Sequence, residues 1–264
     1  MWKSLELNNF YNYKFDFDNQ LNDSYDDWLR AFEIAVERRA TTRCFMGLSS
    51  GYDSGVISKE LTKQGTELKA YAFMKNEKRE VINERLKYVY DGVELKMNQE
   101  LWSYYYGKLK GCSDKILADI ASPGLAFMFN KASKEGRSVF IAGQGADEII
   151  SDYSLFPRQS TFKGKFPDKL TEWENFREGL QREYLTGIEE IAEIFDVDVR
   201  YPFLDTDLVQ EFLWLTPELK NRNYKAPLFE YLTRNNVPFD KEVKRGFRPF
   251  RPQALVCCLT IMFL

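Results

Sequence analysis

The chain has no histidine among its 264 residues. This single absence removes Ser-His-Asp and Cys-His nucleophile schemes, HExxH zinc sites and every imidazole general base. Cysteine is scarce: Cys44, Cys112, Cys257 and Cys258 show no CxxC or zinc spacing. Neither a disulfide framework nor a structural zinc site is indicated, and Cys44, inside an apolar run, reads as a buried free thiol of a reducing, cytoplasmic protein. No run of lysine and arginine is long enough for a nucleic-acid footprint, and net charge is only −3. Residues 1–20 are polar and aromatic, unlike a secretory signal peptide. The apolar run 255–264 is too short to cross a bilayer, so no membrane partner is expected. Chemistry is left to carboxylates, lysine, tyrosine, backbone amides and a bound metal.

What is present is a soluble balance, 44% hydrophobic and 29% charged, enough to build one large domain. Ser24-Tyr-Asp-Asp27 resembles a capping box, and Trp28, Phe32, Ala35 and Val36 recur at helical spacing after it. Residues 43–48 (RCFMGL) and 68–73 (LKAYAF) read as strands separated by a helix over 56–61. Residues 93–97 alternate as a third strand, followed by an aromatic helix over 101–109. Pro123 suits the first turn of a helix running to Lys134, with Gly136 at its C-terminus, and 138–142 (SVFIA) is a further buried strand. Strands alternating with helices predict an α/β fold, a parallel sheet covered on both faces. From about residue 156 the pattern is mostly helical, interrupted by Pro202, Pro217, Pro227 and Pro238, so a helical C-terminal part is expected.

Two loops carry the functional information: Leu48-Ser-Ser-Gly-Tyr-Asp-Ser-Gly55 and Gly143-Gln-Gly-Ala-Asp-Glu148. Each follows a predicted strand, so each places small residues and an aspartate at a carboxyl sheet edge, where open α/β sheets bind ligands. Ser49, Ser50 and Gly51 offer successive N–H groups to an anion, and Ser54 and a helix start add donors and a positive dipole end. Asp53 and Asp147 beside phosphates imply a hard cation such as Mg²⁺ between them. Taken singly, each loop is equally well a plain turn, and Asp147-Glu148 equally well a helix N-terminal pair.

The first loop resembles the SGGxDS pyrophosphate loop of the PP-loop ATP pyrophosphatases, which have an adenine nucleotide alpha hydrolase-like fold. The second resembles the G(E/Q)G(A/S)DE loop of the asparagine synthetase family. Three later segments follow that family in order: Asp198-Val-Arg-Tyr-Pro-Phe-Leu-Asp205 is similar to E-x-R-x-P-F-L-D, Lys225-Ala-Pro-Leu228 to the K-x-x-L-R helix start, and Val243-Lys-Arg-Gly-Phe247 to the turn with the family's essential lysine. The resemblance implies an ATP-dependent ligase domain over 21–250, behind a linker-like segment 1–20 and before an atypical apolar tail 251–264. It implies ATP and Mg²⁺ as cofactors, and a small carboxylate, aspartate in the family's type reaction, with ammonia as substrates. Leu48, Ser49, Ser50, Gly51, Asp53, Ser54, Gly143 and Gly145 would bind the nucleotide, Asp53 and Asp147 the metal, and Lys244, Asp147 and Gln144 would act at the reacting centre.

Several positions depart from the family. Gln144 stands where asparagine-forming members often have glutamate, Ser50 where the loop has its second residue, Phe229 where K-x-x-L-R has arginine, and Ile150-Ser-Asp-Tyr153 where a glycine pair precedes the tyrosine. Trp2 follows Met1, where glutamine-using members carry a cysteine nucleophile, and residues 5–17 resemble their interdomain linker. The resemblance therefore implies the ligase half alone, supplied by free ammonia or a separate glutaminase. The tail reads as a buried terminal element or a truncated end. Rival readings are a tRNA-modifying PP-loop enzyme, disfavoured by charge and the missing CxxC pair, a β-lactam- or peptide-cyclising relative, and a catalytically impaired nucleotide-binding fragment.

Overall fold

The computed structural model describes residues 13–152, 161–162, 165–177, 180–240 and 249. In chain order the elements are α1 (Asp26–Glu37), β1 (Cys44–Gly47), α2 (Tyr52–Lys63), β2 (Lys69–Phe73), α3 (Arg79–Tyr88), β3 (Asp91–Leu95), α4 (Gln99–Lys108), α5 (Asp114–Ala118), α6 (Ser122–Lys134), β4 (Val139–Ile141), α7 (Ala146–Ile150), α8 (Leu180–Ile194), β5 (Asp198–Arg200), α9 (Thr206–Trp214), α10 (Pro217–Asn221) and α11 (Ala226–Arg234). The strands form one parallel sheet in the order β3-β2-β1-β4-β5. In register, Cys44 and Phe45 of β1 face Val139 and Phe140 of β4, while Phe45, Met46 and Gly47 face Lys69, Ala70 and Tyr71 of β2.

Right-handed crossovers dictate where the helices go. Moving from β1 through β2 to β3 puts α2 and α3 on one face; returning across β1 to β4 and β5 puts α4, α6 and α8 on the other. The packing agrees: α1, α2, α9 and α11 form one layer, and α6 meets α4 and α8 in the second. Both faces of the central strands are therefore dry, with every residue of β2 and β4 buried. On the first face, Trp28 and Phe32 of α1 stack at 5.6 Å, and Phe32 continues onto Phe203 and Tyr231. On the second, Phe45 packs on Phe129 and Phe140.

Three local features differ from, or add to, what the sequence indicates. Tyr25, not Ser24, occupies the α1 cap position without a side-chain cap, and Ser24 Oγ accepts the Asp26 N–H at 3.1 Å. Residues 79–88, unassigned from sequence, form α3, which buries Val81, Ile82 and Arg85. Residues 198–200 lie within a stretch expected to be mostly helical and instead form β5, an edge strand with only Val199 buried. Gly136 takes the positive φ (+74°) expected just past α6. Cys44 is a buried free thiol. Among the described residues no helix is long and apolar enough to cross a membrane. Lys244, residues 1–12 and the 251–264 tail lie outside the described residues.

Candidate nucleotide site

β1 and β4 are neighbours, but the chain leaves β1 toward β2 on one side and β4 toward β5 on the other. Strand order thus reverses between them, and the crevice at their carboxyl ends is the switch point where such sheets take ligands. Both sequence-predicted loops open there. Leu48 closes β1, its N–H bonded to Tyr71 O at 2.7 Å. The loops touch: a Cβ on Gly143 would lie 3.2 Å from Asp53 Cβ.

The two aspartates converge. Asp53 stands in the first turn of α2 and Asp147 in the first turn of α7. One ammonium lies between them: Lys225 Nζ is 2.5 Å from Asp53 Oδ1 and 2.9 Å from Asp147 Oδ1. Lys225 is buried, and it caps α11 in the left-handed region (φ 49°, ψ 52°), a conformation that costs a non-glycine residue about 1 kcal/mol. Burial alone would lower its pKa, but the Asp147 and Asp53 carboxylates win and hold it well above the usual ammonium value. Tyr224 donates its hydroxyl to Asp147 Oδ1 at 3.2 Å, and its ring packs edge-on against Tyr52. Two carboxylate oxygens already focused on one cation are a donor set that suits Mg²⁺, a hard ion commonly held by one or two carboxylates and substrate phosphates.

The first loop is tied down more than its sequence implied. Ser49 N–H donates to Ser54 Oγ (3.0 Å), Gly51 N–H to Ser49 Oγ (3.2 Å), and Ser50 N–H to Glu77 Oε2 (2.6 Å). The three amides expected to face an anion thus bond within the protein. Ser50 is fully buried. Its hydroxyl also donates to Glu77 (2.5 Å), its Oγ accepts from Lys78 N–H (3.3 Å), and its carbonyl accepts from Asp240 N–H (3.1 Å). Behind the loop, buried Arg85 donates to the carbonyls of Ser49, Gly51 and Pro238. Burial brings the Arg85 guanidinium down to about 10.

The second loop is shaped by the Asp198–Asp205 segment. Gly145 has φ +97°, and a Cβ there would lie 2.9 Å from Leu204 Cγ; both conditions demand glycine. Glu148 is buried and returns a carboxylate oxygen to Gly145 N–H at 2.9 Å. Burial first, and the Asp147 charge second, push its carboxyl upward. Asp205 caps α9 and pairs with Arg39 (2.7 Å) and Arg38 (3.2 Å), which follow the end of α1. The proline-aromatic motif is therefore a scaffold. Asp152 fills the place of the family's glycine pair with φ 47°, a region aspartate tolerates, and accepts from Phe162 N–H at 2.6 Å. Gln144 is partly exposed in the loop. Phe229, in place of arginine, packs its ring on Phe239.

Asp53, Asp147, Gly143 and the 49–54 loop are thus brought together. The sequence marks Lys225 only as a helix start. What identifies it is a side-chain reach across 172 positions of sequence, which no local pattern reports.

Among the described residues, a five-stranded parallel sheet flanked by helices, with two small-residue loops at its switch point, defines an α/β fold consistent with a PP-loop-like domain. The sequence profile of the family described as asparagine synthase matches residues 27–195. The chain belongs to that family, whose members are ATP-dependent ligases that form amides. No curated protein matches the chain.

Proposed function

We propose that residues 21–250 adenylate a small carboxylic acid with ATP and then amidate it, with aspartate and ammonia giving asparagine as the leading assignment. The supporting observation is the meeting of Asp53 and Asp147 on one cation at the switch point. In the reaction a substrate carboxylate oxygen attacks the α-phosphorus of ATP, the bond to the β-bridging oxygen breaks, and pyrophosphate departs. Ammonia then attacks the acyl carbon, its excess proton passes to solvent, and AMP leaves. Asp53 and Asp147 would hold Mg²⁺, which neutralises the β- and γ-phosphates when bound. Leu48, Ser49, Ser50, Gly51, Ser54, Gly143 and Gly145 would frame the nucleotide, the α2 terminus receiving the pyrophosphate. Lys225 supplies a fixed positive charge there without proton transfer. Lys244 is assigned to the α-phosphate as charge develops on it.

Gln144 favours a second reading. An amide cannot take a proton from the amine as a carboxylate can, which suits a relative that amidates or cyclises another acid. ATP–pyrophosphate exchange with a panel of acids decides. Exchange with aspartate supports asparagine formation, exchange with other acids alone supports the second reading, and none with any acid overturns both.

A further inference from the structure

Arg85 is a cation placed where cations are expensive. It is fully buried, its bonded N–H groups go to three neutral carbonyls, and Nη2 has no hydrogen-bond partner among the described residues. Among the described residues no carboxylate forms an ion pair with it, and the nearby Glu77 and Asp53 charges offset only part of the burial cost, which for a buried cation is high. Its position gives it a use. Nη2 lies against Gly55 in the first turns of α2, where any Cβ would collide with the guanidinium. Gly55 therefore admits the charge to the inner side of the helix terminus that faces the crevice.

The carbonyls Arg85 takes also fix the loop. In a trans peptide the N–H of the next residue points opposite to the C=O. Holding Ser49 O turns the Ser50 N–H away from Arg85, onto Glu77. Holding Gly51 O turns the Tyr52 N–H, first of the α2 terminus, away from the guanidinium as well. Arg85 also grips Pro238 O, while Ser50 O receives Asp240 N–H. One buried side chain thus joins three segments around the anion-facing end of α2.

We propose that Arg85 is a positioning residue for polyphosphate: it sets the peptide planes of the first loop and adds a buried positive potential that makes the α2 terminus select a pyrophosphate-bearing ligand. This rests on the nucleotide reading above and extends it to a residue on α3, outside both sequence loops. A bound polyanion would offset more of the burial cost of this charge, so removing the charge should weaken pyrophosphate and spare uncharged ligands.

The test is calorimetric titration of the full chain with magnesium pyrophosphate and, separately, with adenosine. Arg85→Met, which keeps the volume and removes the charge, should lose about tenfold in pyrophosphate affinity with adenosine unchanged. Arg85→Lys keeps a charge but cannot hold both loop carbonyls in one plane. It should show a smaller loss, again confined to pyrophosphate, and it carries the test if Arg85→Met does not fold. Equal losses for the two ligands, no loss in either variant, or failure of both variants to fold would each make Arg85 a structural residue and overturn the proposal. Wild type binding neither ligand would instead overturn the nucleotide reading itself.

Discussion

The Lys225 ammonium lies 2.5 Å from the Asp53 carboxylate although 172 positions separate them in sequence, and it meets Asp147 at 2.9 Å on its other side. The lysine neutralises two carboxylates that the proposed reaction needs for a metal. Removing it leaves those charges facing each other with less compensation. Lys225→Met should therefore bind Mn²⁺ more tightly than wild type in the absence of nucleotide, by about tenfold, while ATP–pyrophosphate exchange falls by about 10²–10³. Electron paramagnetic resonance of Mn²⁺ reads the first and isotope exchange the second. Unchanged Mn²⁺ affinity would show that the two aspartates do not form a common cation site.

Asp53→Asn and Asp147→Asn test the same pair from the carboxylate side. Each keeps the side-chain shape at a partly exposed helix start, so thermal midpoints should stay within a few degrees of wild type. Each removes a metal-directed charge and leaves Lys225 with one carboxylate. Exchange should become undetectable in both. A variant with wild-type exchange would remove that aspartate from the site.

The sequence made one half of this site legible for a physical reason. Small residues and aspartates after apolar runs have few uses except at strand ends, so β1, β4 and their loops could be read locally. β5 could not, because Asp198 and Arg200 flank a single inward Val199 and the strand is too short for alternation to register. α3 was hidden because its buried face includes Arg85, which looks like a solvated residue until the loop carbonyls are seen around it. From sequence Ser50 is only a departure from the family loop at its second residue. In the structure its hydroxyl ties the loop to Glu77 and Lys78, contacts made across 27 and 28 positions.

Gly145→Ala should damage the second loop directly. The new Cβ would need a left-handed φ of +97° and would press on Leu204 and Phe203. Strain and overpacking together should cost about 2–4 kcal/mol. Because the Gly145 N–H also anchors Glu148, Asp147 should shift with it, and exchange should fall by more than the folded fraction accounts for. Urea unfolding and exchange corrected for folded protein separate the two effects. A midpoint equal to wild type would show that the loop does not need glycine there.

Glu135 governs a different property, stability in acid. Burial tends to raise its pKa, but Lys131 at 2.8 Å, the Tyr71 hydroxyl at 2.6 Å and Lys69 at 3.2 Å outweigh it and lower the carboxyl from 4.5 to about 2. A depressed folded-state pKa stabilises the protein above the unfolded pKa, and that stabilisation is lost as pH falls from about 4.5 to about 2. Unscreened, a carboxyl lowered from 4.5 to about 2 would correspond to about 3 kcal/mol. The side chain is 32% exposed, so about 1–2 kcal/mol is the discounted expectation. Glu135→Gln cannot titrate. It should be less stable than wild type by that amount at pH 7, with the gap narrowing toward pH 2 as the wild-type carboxylate takes up its proton. Comparing the two proteins cancels the acid sensitivity of every other carboxylate, so urea midpoints at pH 7 and pH 3 suffice. A gap of constant size at both values would mean that the Glu135 charge contributes nothing and that the variant loses only packing.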